Sequence, residues 1–382
     1  MLDQYLAASI AQLQLRAQRL IGRIPRNLPR EYAALDQACR TQINSIIADL
    51  RRLEDASGNE AAIQAVRLRG FRRSVADLDV LEATGIMALT RRHSDDQILN
   101  QLIERIRDEI RYPLAAPLVS SLSQQYFQIR SELNLLFVPL IEGDFLLHLP
   151  DLYHELAHPL LAVANDPALE PFQNAFYSAA DRVMEHLEGL ERREDRRYGP
   201  KAYGLLLQRW VDAWIPYWLT EFFCDAFAAC TVGPAYVWAH LHLIAIRGDN
   251  PFEIWDAARS HPPDDARMRV MLGCLEQCGS HAAAERVRKC WNDFLLETGF
   301  NPEPEYQRCV PDTLLSAVAA DARTGVEGLG CRLATADTAD EVHQLLNTAW
   351  DQFWMAPESY VEWERKAMQK LCLPRPQNHP GR

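Results

Sequence analysis

Residues 154 to 158 read His154-Glu155-Leu156-Ala157-His158. On a helix, two imidazoles four residues apart share one face, a single turn from each other. Both can then reach one metal ion. Glu155 stands beside the first imidazole, where a carboxylate can serve as general base toward a metal-activated water. Zinc lowers the pKa of that water towards neutrality, and the carboxylate takes its proton as attack begins. Leu152 and Leu156 can face a core and fix the helix. An ordinary helix with two surface imidazoles would show the same five residues, so the pattern needs support elsewhere in the chain.

A catalytic zinc site takes three protein ligands and keeps one position open. The third is offered by Glu221, which begins Glu221-Phe222-Phe223-Cys224-Asp225. Glu221 and Asp225 are again four apart on one helix face, and Tyr217, Trp218, Leu219, Phe222, Phe223, Ala226 and Phe227 surround them. Carboxylates in so apolar a helix are costly to bury without partners. Glu221 as metal ligand and Asp225 as the acceptor orienting a ligand imidazole would supply the partners. Acids on a narrow polar stripe are the plainer alternative.

His261-Pro262-Pro263, with Arg267 behind it, is the third element. A loop histidine beside the metal can donate to the oxyanion of a tetrahedral intermediate. An arginine can pair with a buried acid of the site. His261 and Arg267 therefore join Glu155 as candidate catalytic residues. A turn followed by a helix with a surface arginine is the alternative.

Taken in order, HELAH, EFFCD and HPP with a following arginine resemble the gluzincin metallopeptidases of the HtpX and CAAX prenyl protease type. The resemblance implies zinc ligands His154, His158 and Glu221, base Glu155 and orienting acid Asp225, with His261 and Arg267 at the later positions. It covers Leu133–Arg269. It departs from the membrane-embedded members, because no stretch here is long and apolar enough to span a bilayer. It also places Pro159 directly after His158, where the ring removes a backbone bond to the Glu155 carbonyl and should kink or stop the helix.

Other histidines are weaker candidates. His240 and His242 point in different directions on a helix and read as core or interface residues. His148 reads as a strand residue.

Several functions are disfavoured by composition. The net charge of −12 argues against nucleic acid or anionic membrane as the main partner. The arginines at 51, 52, 192, 193, 196 and 197 are interleaved with acids and read as solvated faces. The nine cysteines include no closely spaced CxxC pair, and Cys274 and Cys278 read as buried thiols. The start, MLDQYLAASIAQLQLRAQRL, lacks a basic region followed by an apolar core. Reduced thiols and the absence of a secretory signal point to the cytoplasm. The expected partner is a protein or peptide substrate, with a regulatory protein docking on the flanking helices as a further expectation. The rival reading is a helical interaction or sensor protein that retains a zinc site without turnover.

The elements that must position these residues are mainly helical. Leu2, Leu6, Ile10, Leu13 and Leu20 recur at helical spacing, as do Leu35, Ile43, Ile46, Ile47, Leu50 and Leu53. Further helices are expected over Val75–Leu89 and Asp96–Arg111. Asn134–Leu149 carries two apolar runs around Glu142-Gly143-Asp144, a hairpin signal, and would offer an edge strand to an extended substrate. Pro150 and Asp151 then start the helix bearing HELAH. The expected fold is mainly α: a zincin-like core with a small β-hairpin or sheet over residues 116–300, an N-terminal helical region 1–115, and a C-terminal helical region 301–382 ending in a disordered tail from Pro374.

Overall fold

Amphipathic spacing dominates the first hundred residues, and in the computed structural model it becomes α1 (Leu2–Arg23), α2 (Ala33–Asp55) and α3 (Ala61–Leu81). The structure describes residues 2–56, 60–91, 94–123, 126–139, 145–199, 204–254, 261–335 and 337–371. The Glu142–Asp144 turn and the tail from Pro374 lie outside them. Ile10, Leu13 and Ala17 of α1 meet Leu35, Ile43 and Leu50 of α2 in one buried cluster. Gly70 lets α3 approach α2 closely, since a Cβ there would fall 2.8 Å from a Leu53 methyl. A π-turn over Glu82–Ile86 leads into α4 (Met87–Thr90), and α5 covers Ser94–Ile110. The third helix thus begins well before Val75.

A small mixed sheet follows. β3 (Leu135–Pro139) lies between β1 (Leu118–Ser123), which is parallel to it, and β2 (Gln128–Arg130), which is antiparallel. The expected hairpin partner, Phe145–Leu149, is not a strand. It forms consecutive turns whose backbone bonds run from His148 to Phe145 and from Asp151 to His148. Its leucines at 146, 147 and 149 are buried all the same, which explains the apolar signal.

The remaining helices are α6 (Asp151–Ala162), α7 (Glu170–Tyr198), α8 (Gly204–Ala213), α9 (Leu219–Thr231), α10 (Pro234–Arg247), α11 (Asp264–Gln277), α12 (His281–Thr298), α13 (Pro304–Cys309), α14 (Asp312–Gly328), α15 (Glu341–Met355) and α16 (Pro357–Leu371). The fold is mainly α with a small sheet. Two compact units divide it: residues 1–100 with 117–140, and residues 101–116 with 141–382. These limits differ from the boundaries read at proline-rich breaks. The sheet groups with the N-terminal helices, and residues 301–371 group with the helices carrying the candidate site. No helix among the described residues is long and apolar enough to cross a membrane.

Candidate metal centre

All the candidate site residues lie in the second unit. α6 is buried along most of its length, with Leu152, Tyr153, Leu156, Ala157 and Leu160 fully enclosed. The helix runs through Pro159 to Ala162 and neither stops nor breaks at the proline. Proline removes a single bond here, and the helix ends within a turn of it. Gln173 then donates to the carbonyls of Leu160 (3.0 Å) and Val163 (2.8 Å), satisfying groups left open at the helix end. The Tyr112 hydroxyl donates to the Leu156 carbonyl at 2.7 Å.

α9 is apolar all round, and every residue from Glu221 to Thr231 is buried. Such a helix belongs in a core. A π-turn, Trp214–Trp218, precedes it, and Trp214 packs on Phe222 with ring centres 5.2 Å apart. α6 and α9 pack against each other, which brings HELAH to the two acids.

The Glu221 carboxylate is where the histidines converge. His154 Nε2 lies 3.3 Å from its Oε2, His158 Nε2 4.0 Å from its Oε1, and His261 Nε2 3.5 Å from its Oε2. The HPP turn therefore places His261 at this carboxylate, with its side chain 58% exposed. Glu155 is buried on α6 beside His154.

Asp225, wholly buried, accepts from several donors. His154 Nδ1 is 3.0 Å from Oδ1, and the Tyr236 hydroxyl is 2.5 Å from the same oxygen. Arg267 clamps both oxygens, Nε to Oδ2 and Nη2 to Oδ1, each at 2.7 Å. Arg267 thus lies in the core and not in the cleft. It pairs with a buried acid of the site, as expected of it, and holds Asp225 in place.

Burial alone would push the Asp225 carboxyl up, but the Arg267 charge and hydrogen bonds hold it well below the ordinary range. Burial likewise opposes ionisation of Glu221, yet His154 and the other imidazoles bring it down to about 2. His154 is driven down by burial and up by its bond to Asp225 and by the nearby Glu221 carboxylate; the acids win, at about 10. His158 is pushed down to about 4 by burial and by the His154 charge.

The donor set suits a zinc ion. Glu221 Oε2 is a buried oxygen with no hydrogen-bond partner among the described residues; although His154 Nε2 is 3.3 Å away, the two lack the alignment of a hydrogen bond. A cation between them would satisfy that oxygen. Cys224 is a competing third donor, because its sulfur groups with ligand atoms of His154 and His158 within 4.8 Å. Its thiol is pushed well up by burial and by Glu221, Asp225 and Glu155. The Glu221 carboxylate faces all three imidazoles.

The other histidines are elsewhere. His240 is enclosed, its Nε2 is 3.8 Å from Asp264 and unpartnered, and burial holds its pKa well below the usual range. His148 lies in the turns before α6 and not in a strand, packed against Phe145 and His242. Cys274 and Cys278 are buried free thiols. Tyr236 was not evident from the motifs: a tyrosine in an apolar helix carries no pattern of its own. No protein-family model, curated protein or solved structure matches the chain.

Proposed function

We propose that this chain is a zinc-dependent peptidase of the gluzincin type, akin to the HtpX and CAAX prenyl protease pattern, acting on peptide bonds. The observation that carries the reading is the Glu221 carboxylate, buried, with one oxygen unpartnered, facing the ring nitrogens of His154, His158 and His261. His154, His158 and Glu221 hold the ion. Bound there, zinc would supply Lewis-acid activation of a water and of the scissile carbonyl. Glu155 takes the proton of the attacking water and returns it to the leaving amine. His261, at the exposed side, donates to the oxyanion of the tetrahedral intermediate. Asp225, held by Arg267, keeps His154 in place. The free thiols of the described cysteines support a reducing compartment, the cytoplasm.

A second reading has its own support. With Cys224 as an added ligand the site would be closed, as structural zinc sites are, and the chain would be an interaction or sensor protein. One experiment separates the two. Zinc content by atomic emission and turnover of a quenched fluorescent peptide library are measured for the intact chain and for Glu155→Gln, Glu221→Ala and Cys224→Ala. The peptidase reading expects about one zinc per chain, turnover lost in Glu155→Gln with zinc kept, zinc lost in Glu221→Ala and kept in Cys224→Ala. Zinc lost in Cys224→Ala, with no turnover in the intact chain, establishes the closed site. An intact chain that binds no zinc removes both.

A further inference from the structure

Around Asp225 the hydrogens can be counted. The carboxylate, clamped through both oxygens by the Arg267 guanidinium, can only accept. Arg267 brings two of its N–H groups at 2.7 Å. The Tyr236 hydroxyl has one hydrogen, and Asp225 Oδ1 at 2.5 Å takes it. The phenol oxygen is then left with lone pairs, and it lies 2.9 Å from His154 Nδ1. The same nitrogen is 3.0 Å from Asp225 Oδ1. Nδ1 thus faces two oxygens that offer only lone pairs, and a bare nitrogen there would be repelled by both. Nδ1 therefore carries a hydrogen. In a neutral imidazole that leaves Nε2, the nitrogen facing Glu221, as the electron-pair donor.

We propose that Tyr236 is a positioning residue for the metal: its phenol, bonded to Asp225 and to Nδ1 of His154, holds His154 in the tautomer that presents Nε2. The ring does part of this work. It stacks on the His154 imidazole with centres 5.9 Å apart and planes 25° apart, limiting rotation of the ligand. The chain places it by a sharp turn. Gly233, at φ 76 and ψ −144, adopts a conformation open essentially to glycine alone. Pro234 then starts α10, whose first turn delivers Tyr236 to Asp225, with the Tyr236 amide bonded to the Gly233 carbonyl at 3.2 Å. The inference rests on the zinc reading of the site but not on peptide hydrolysis.

The test uses the full chain and Tyr236→Phe, which keeps the ring and removes the hydroxyl. Zinc affinity is read by competition with a chromophoric chelator, and the His154 ring by nitrogen-15 chemical shifts in the zinc-loaded protein. Zinc affinity should fall roughly 10–100-fold, the usual loss when a ligand's outer partner is removed. The melting temperature of the zinc-free protein should stay close to that of the parent, which a purely structural hydroxyl would not allow. In the intact chain Nδ1 of His154 should be protonated and Nε2 metal-bound. This last measurement decides the matter even if Tyr236→Phe does not fold. Protonated Nε2, or unchanged affinity in Tyr236→Phe, overturns the role and leaves the zinc site standing. An intact chain without zinc removes the site itself and the role with it.

Discussion

The two compact units place their ion pairs differently. In the N-terminal unit the described ion pairs lie at the surface, and the buried Arg67 and Asp96 bond backbone, at the Leu53 carbonyl and the Ser121 amide. Arg16 pairs with Asp79 and Glu82, and Arg40 with Asp36, none of them buried, while the core cluster is built almost wholly from aliphatic side chains with Tyr32, Cys39 and Phe137. In the second unit, α9 has no polar face to turn outward, yet it carries Glu221 and Asp225 inside. Exposed pairs contribute about 0–1 kcal/mol each. A buried pair is different: its net worth is modest, but losing one partner strands the other charge in the core. The first unit could exchange its surface charges with little consequence. The second has committed its core to them, which is sensible only if they position something.

The largest effect should come from breaking the buried pair. Arg267→Ala leaves Asp225 ionised and enclosed, and about 3–5 kcal/mol of stability should be lost. Urea unfolding of the zinc-free protein reads this directly. A loss below about 1 kcal/mol would mean that the pair behaves like a surface one, and the contrast between the units would collapse. Next comes His261→Ala. On the peptidase reading turnover falls about 10²–10³-fold, the cost of losing one oxyanion donor, and zinc affinity barely moves, because His261 is not a ligand. Unchanged turnover with intact zinc would reduce the HPP turn to a loop that merely passes close to Glu221.

Much of the site could be read in the sequence because its signals are local. His154 with His158, and Glu221 with Asp225, each sit one helical turn apart, and two acids in so apolar a helix already call for partners. Asp225 accepts from His154, and Arg267 meets a buried acid. What could not be read depends on distant contacts. Leu146 donates its amide to Glu364 on α16, so Phe145–Leu149 is held as turns by a helix near the far end of the chain. β1 carries no strand signal because Leu118–Ser123 is half serine; Ser120 and Ser121 are buried, and the strand amides of Val119 and Ser121 are taken by Asn100 and Asp96. Pro159 does not stop α6, since a proline in the last turn costs one bond and Gln173 closes the helix end. Tyr236 depends on a glycine turn and on the packing of α10 beside α9, and neither leaves a motif.

The smallest effect tests the other side of the comparison. Arg16 bonds Asp79 at 2.7 Å and also pairs with Glu82, joining α1 to α3 and to the π-turn beyond it. By geometry alone this looks as well made as the Arg267 clamp: one guanidinium, two carboxylate oxygens, short distances. The difference is water. The Arg16, Asp79 and Glu82 side chains are 42%, 53% and 40% exposed, so solvent solvates the partners left behind and salt screens what attraction remains. Arg16→Ala should therefore cost less than about 1 kcal/mol, and the cost should shrink further between low and high sodium chloride. Arg267→Ala should show no such salt dependence, because ions cannot reach Asp225. Unfolding both variants at two salt concentrations compares the units on one scale. A salt-insensitive loss of several kcal/mol at Arg16 would show that this pair, like the Arg267 clamp, is held away from water.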